Sequence, residues 1–292
     1  MGVAYLLHPK FRVRLLLCAL FLFATRLVQA EPRASAVCEL PLAFRDGLLW
    51  VEVNVLQSKE PLHFLLDSGA SVSVVNLDTA RRLGLKLGAK VSVTAVATTL
   101  AGHWPVKLSA KAGHLALPDE FLALDLSKLS KACSNSVDGL IGADFFRDRV
   151  VEIDYAAQKL RVLDALPSVA GADAIALQTR PCGFRVKLNV NGGRSQWVRV
   201  DTGCATAFQW VTSKERAEQC TSKLAVGLAE LSIPQTMTGV RIGNHYLDTV
   251  PTGLHRKAIF PGESGLLGNG LLAQFGTVTI DAKGGRLILG RF

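Results

Sequence analysis

The 292-residue chain lacks the local signatures of most enzyme chemistries. It holds no H-E-x-x-H to set two histidines around zinc, no G-x-S-x-G elbow, no P-loop and no C-x-x-C pair. The histidines at 63, 103, 114, 245 and 255 are scattered, and each reads as a core or surface residue rather than a ligand. These absences give a zinc or thioredoxin-like role little support. Charged residues are also scarce, 20% against 49% hydrophobic, which excludes a disordered chain. Lys and Arg form no block with interleaved aromatics, so no nucleic-acid partner is expected either.

What is present begins with a leader. Lys10, Arg12 and Arg14 precede an apolar run over 15–24, and Val28-Gln29-Ala30 offers a cleavage site, so residues 1–30 read as a signal peptide. The run is about half the ~20 residues of a membrane span, which favours a cleaved signal over an anchor and a secreted or periplasmic protein. Removing it takes four basic residues and no acid, leaving 29 basic against 24 acidic residues. The formal charge falls from +9 to +5, a mildly basic solvated surface.

Five cysteines then remain in an oxidising compartment: Cys38, Cys133, Cys182, Cys204 and Cys220. An odd number cannot all pair within one chain. One arrangement consistent with two halves joins Cys38 to Cys133 and Cys182 to Cys220, leaving Cys204 free, although connectivity stays open at this level.

The informative feature is a unit written twice. Asp67-Ser68-Gly69 and Asp201-Thr202-Gly203 stand 134 positions apart, each at the end of an extended apolar run. Each run is the second arm of a hairpin pattern: Trp50-Val51-Glu52-Val53-Asn54-Val55 returns as His63-Phe64-Leu65-Leu66. Phe184-Arg185-Val186-Lys187-Leu188-Asn189-Val190 returns, past Asn191-Gly192-Gly193, as Trp197-Val198-Arg199-Val200. Leu140-Ile141-Gly142 is answered by Leu266-Leu267-Gly268, and two further strand patterns follow each. Short helices are expected over 77–83, 144–149 and 212–220. The copies differ in the stretch between acid and apolar-apolar-Gly element, 75 positions in the first and 67 in the second. The domain plan is a first lobe over 31–165, a linker over 166–176 and a second lobe over 177–292.

One Asp-Ser/Thr-Gly alone is ordinary turn chemistry. Two in matched hairpin units point to paired carboxyls, which cannot both ionise readily at short range and so share a proton. Such a pair supplies the base that takes a proton from water and the acid that protonates the leaving group. Gly268-Asn269-Gly270-Leu271-Leu272-Ala273 fits a loose G-x-G-x-x-A, but it overlaps the repeat element and is set aside as a dinucleotide site.

With its Asp67-Ser68-Gly69-Ala70 and Leu140-Ile141-Gly142 elements, the chain from about residue 42 onward resembles the retropepsin-like aspartic proteases, as two subunits fused in the manner of the two-lobed pepsins. The resemblance implies an all-β fold of two β-barrel lobes related by a pseudo-twofold, with the active site between them. It implies Asp67 and Asp201 as the catalytic pair, Ser68 and Thr202 as bracing hydroxyls, Gly69 and Gly203 as tight-turn residues, and Gly142 and Gly268 as structural glycines. It also implies one main flap, for which Gly102 as pivot and Trp104 as apolar cover are the candidates. A polypeptide bound in extended form is the implied substrate of a monomeric endopeptidase, and no metal or organic cofactor is implied. A non-catalytic peptide-binding module with the same fold is the alternative. Cys204 and Ala205 stand where the first copy has Ala70 and Ser71, so the surroundings of the two acids need not match.

Overall fold

Period-two alternation builds the hairpins ahead of both acids. In strand Leu48–Val55 the side chains of Val51, Val53 and Val55 are buried while Glu52 and Asn54 face water, and strand Leu62–Leu66 pairs with it antiparallel. In the second copy Phe184, Val186, Leu188 and Val190 of strand Gly183–Val190 turn inward and strand Gln196–Val200 returns. Asn191 and Gly192 both adopt positive φ, 49° and 68°, the backbone a tight hairpin turn needs. The structure is a computed structural model that describes residues 35–95, 98–166, 173–213, 218–226 and 229–290; for 98, 218–226 and 229–232 the description is of the backbone. The expected leader over 1–30 lies outside the described residues.

The two copies share one topology. Strand Gly139–Ile141 runs parallel beside Leu62–Leu66 with Leu140 opposite Leu65, and strand Gly265–Leu267 runs parallel beside Gln196–Val200 with Leu266 opposite Arg199. The strand following each acid loop, Val74–Asn76 or Phe208–Val211, is antiparallel to that inserted strand. It is parallel to Glu120–Leu124 in the first copy and to His245–His255 in the second. The fold is all-β in two lobes.

An antiparallel six-stranded stretch joins the lobes in the order Ala36–Pro41, Lys159–Leu163, Val150–Asp154, Thr277–Asp281, Arg286–Leu289 and Asp173–Arg180. At its centre Val151 pairs with Ile280, Glu152 with Thr279 and Ile153 with Val278. Those are corresponding positions of the two copies, so the register is self-complementary, as an isologous contact must be. Residues 173–176, expected within the linker, belong to strand Asp173–Arg180, whose later residues go on to pair with Gly183–Val190.

Several expectations change. Helices form at Leu77–Arg82 and Ala143–Phe146, but Glu218–Val226 is a strand, paired with Ala229–Ile242 where a helix over 212–220 was expected. Helical propensity yielded there to strand pairing. That hairpin is also the second lobe's counterpart of the first-lobe hairpin, so the shorter second loop still builds one. Cys38 and Cys133 are free: Cys38 lies opposite Val162 on the edge of the interlobe sheet, whereas Cys133 is buried in a separate cluster with Trp50 and Leu129. Cys182 is free and exposed, so the pairing with Cys220 does not form either; the Cys220 side chain lies outside the described residues. Cys204 is a free, buried thiol. Among the described residues no helix is long and apolar enough to cross a membrane.

Candidate active site

Each acid is delivered by the strand before it and fixed by the strand inserted beside it. The Asp67 amide donates to the Ile141 carbonyl and the Asp201 amide to the Leu267 carbonyl, both at 2.9 Å. The loops then lock to one another. The Ser68 hydroxyl donates across the lobe boundary to the Val200 carbonyl (2.8 Å) and receives the Thr202 amide (3.1 Å). The Thr202 hydroxyl donates to the Leu66 carbonyl (2.8 Å) and receives the Ser68 amide (2.9 Å). All four bonds are buried. Each adds about 1 kcal/mol net, but an orphaned partner in that setting costs more.

The grip sets the carboxyls face to face. A Cβ on Gly69 would lie 2.4 Å from Asp201 Oδ1, and one on Gly203 would lie 2.4 Å from Asp67 Cγ. Each acid thus packs against the glycine of the opposite loop, and any side chain there would displace it. Gly142 and Gly268 serve the same need one shell out, where their loops touch the backbone of Val72 and Thr206.

The electrostatics are not symmetric. Asp67 Oδ1 receives two amides, from Gly69 and Ala70, each at 3.0 Å; Asp201 Oδ1 receives only Gly203, at 3.0 Å. Burial raises the pKa of both carboxyls, and the neighbouring Asp67 charge raises Asp201 further. The extra amide favours charge on Asp67, so Asp201 is the better holder of the shared proton. Cys204 is no rival nucleophile: burial, and secondarily the charge of Asp201, push its thiol up to about 12.

The pair opens onto a cleft of about 410 Å³. The first lobe lines it with Val72, Val74, Leu122, Leu124 and Leu140, and with Val93, Thr94 and Ala95 of the hairpin formed by Ala89–Ala95 and Thr98–Lys107, while the second lobe adds Phe260 and Pro261. Gly102 and Trp104 do not line it. Gly102 is buried where the hairpin crosses Leu124, and Trp104 packs on the first-lobe cluster around Trp50. The hairpin is there, but its cleft-facing residues are on its other arm; its tip, 96–97, lies outside the described residues.

Residues 51–145 match the aspartyl protease family. That match spans about a third of the chain, within the first copy, and makes it similar to the retropepsin-like aspartyl proteases there. The aspartic proteinase from Irpex lacteus has the same two-lobed fold at 13% identity, with a TM-score of 0.59 over 87% of this chain and 97% of that one. No curated protein matches the chain by sequence.

Within this aspartyl protease fold, three polar residues near the acids had not been singled out from sequence. Asn269 donates to the Thr202 carbonyl (2.6 Å) and the Gly47 carbonyl (2.8 Å) and receives the Tyr155 hydroxyl (2.8 Å), pinning the second acid loop to the first lobe. The others are Arg199, in the cleft wall, and Glu263, which pairs with it in a buried setting behind the wall. Arg199 left a sequence signal, a charge in an otherwise apolar strand end; Glu263 left none. Among the described residues no cluster of three His, Cys, Asp or Glu side chains is placed to hold a metal ion.

Proposed function

We propose that the chain is an exported aspartic endopeptidase in which Asp67 and Asp201 activate water against a peptide carbonyl. One observation carries the reading: two carboxyls each packed on the opposite glycine, with hydroxyls gripping reciprocally across the lobe boundary. The Asp67 carboxylate takes a proton from water as the water oxygen bonds to the carbonyl carbon, while Asp201 gives its proton to the carbonyl oxygen. In the second step Asp67 passes its proton to the amide nitrogen, the C–N bond breaks, and Asp201 recovers a proton from the diol hydroxyl. The protein's charge balance is restored after each turnover.

The substrate is a polypeptide in extended form, with a bulky apolar side chain in the first-lobe wall of Val72, Val74, Leu122, Leu124 and Leu140. Export rests on the leader over 1–30, and a single chain carries both acids, so a monomer suffices.

Incubating the protein with an unfolded protein substrate from acidic to neutral pH, beside Asp67→Asn and Asp201→Asn variants, tests this. Cleavage by the wild type, falling at least about 10²-fold in each variant, is expected. Cleavage that survives either substitution overturns it. Binding of peptide without cleavage would instead mark a non-catalytic peptide-binding module.

A further inference from the structure

The pseudo-twofold fails at one buried position. Two residues before its acid the first copy has Leu65, buried in an apolar cluster; the second copy has Arg199, 3% exposed. Its guanidinium is fully engaged from one side. Nε donates to Glu263 Oε2 (2.7 Å), Nη2 to Glu263 Oε1 (3.1 Å), and the Phe260 ring caps it with the centroid 3.7 Å from Cζ. Nη1 then crosses the lobe boundary to the Gly69 carbonyl (2.7 Å), in the loop whose amides hold Asp67. Arg199 also lines the cleft together with both acids.

Burying a charged pair is expensive where an apolar pair would pack, so a function beyond packing is the better account of its position. We propose that Arg199 is a positioning residue for the acid pair: held by Glu263, it fixes the Gly69 loop from the second lobe and sets the pH window in which the pair carries one proton. This rests on the aspartic protease reading. The physical basis is a fixed positive charge in a poorly solvated wall, which favours ionised over protonated carboxyls on both sides of the dyad. Charged and titratable neighbours do not duplicate it. Glu263 is its partner. Arg185, opposite it on the next strand, is turned to Gln178 and the Gly262 carbonyl. The Cys182 thiol lines the cleft, and the buried Cys204 thiol stays neutral in the working range.

The test compares Glu263→Gln, Arg199→Met and Arg199→Lys by the pH profile of kcat/KM. Glu263→Gln leaves the positive charge uncompensated, so both limbs move to lower pH; Arg199→Met removes it, so both limbs move to higher pH, each by about 1 unit. Arg199→Lys keeps the charge and loses the fork, so its limbs hold while kcat falls. Limbs that do not move, or that move the same way in the first two variants, overturn the proposal and leave Arg199 a structural residue. Should Arg199→Met fail to fold, Glu263→Gln decides by sign: a downward shift supports the proposal and any other result overturns it. If the wild type shows no turnover, the protease reading fails, and titration of the Asp67 and Asp201 carboxyl carbons by NMR still reads the same opposite shifts.

Discussion

A methyl group on Gly203 would meet the Asp67 carboxyl at 2.4 Å, well inside van der Waals contact. Gly203→Ala is therefore expected to cost about 1–3 kcal/mol and to remove cleavage even though no titratable group changes. Thermal unfolding and a peptide assay on the same sample check both. Asp201 carries a second prediction. Its folded pKa is raised from an ordinary 3.8, first by burial and then by Asp67. The folded state thus holds a proton that the unfolded chain has released, and that contribution is full below the unfolded value and lost as pH rises through the folded one. Tm measured upward from pH 4 should fall more in wild type than in Asp201→Asn; parallel curves would contradict the shared proton. These residues were legible because the tripeptide occurs twice in matched surroundings. The number of amides reaching each carboxyl was not, since Ala70 and Cys204 differ in what their amides face only once the loops are folded.

The hairpin of Ala89–Ala95 and Thr98–Lys107 separates what a strand pattern can say from what pairing decides. Sequence placed a covering hairpin between acid and inserted strand, and one is there. It did not give the face, because the register Val91 to Gly102 and Ala89 to Trp104 turns Trp104 onto its own lobe. Trp104→Ala is accordingly expected to lower stability by about 2 kcal/mol, less than the ~3–5 of a fully buried aromatic, with KM unchanged. Val93→Asp should do the reverse, raising KM for peptides with a bulky apolar residue about tenfold while leaving Tm close to wild type, since Val93 is only half-buried. Steady-state kinetics beside calorimetry distinguish the two. The second-lobe hairpin escaped a sequence reading for a related reason: strand Glu218–Val226 gains its identity from the long partner Ala229–Ile242, not from its own composition.

At the scale of the molecule, the lobes share backbone as well as a cleft. Strand Val150–Asp154 hydrogen-bonds to Thr277–Asp281, and one continuous apolar cluster runs from Val151 and Ile153 to Val278 and Ile280. Opening one lobe would strip that sheet at its centre, so the chain should unfold in a single calorimetric transition; two resolved transitions would refute the coupling. The sequence by itself determined the duplicated strand order and the two acids, because period-two patterning and a repeated tripeptide are local. Only the tertiary structure decided that the cysteines Cys38, Cys133 and Cys182 stay free, that Asp67 and Asp201 differ in their donors, and that Arg199 in the cleft wall pairs with the buried Glu263. Each of those depends on which distant surfaces meet, and a linear pattern fixes a side chain's face within its strand but not what the other lobe brings to it.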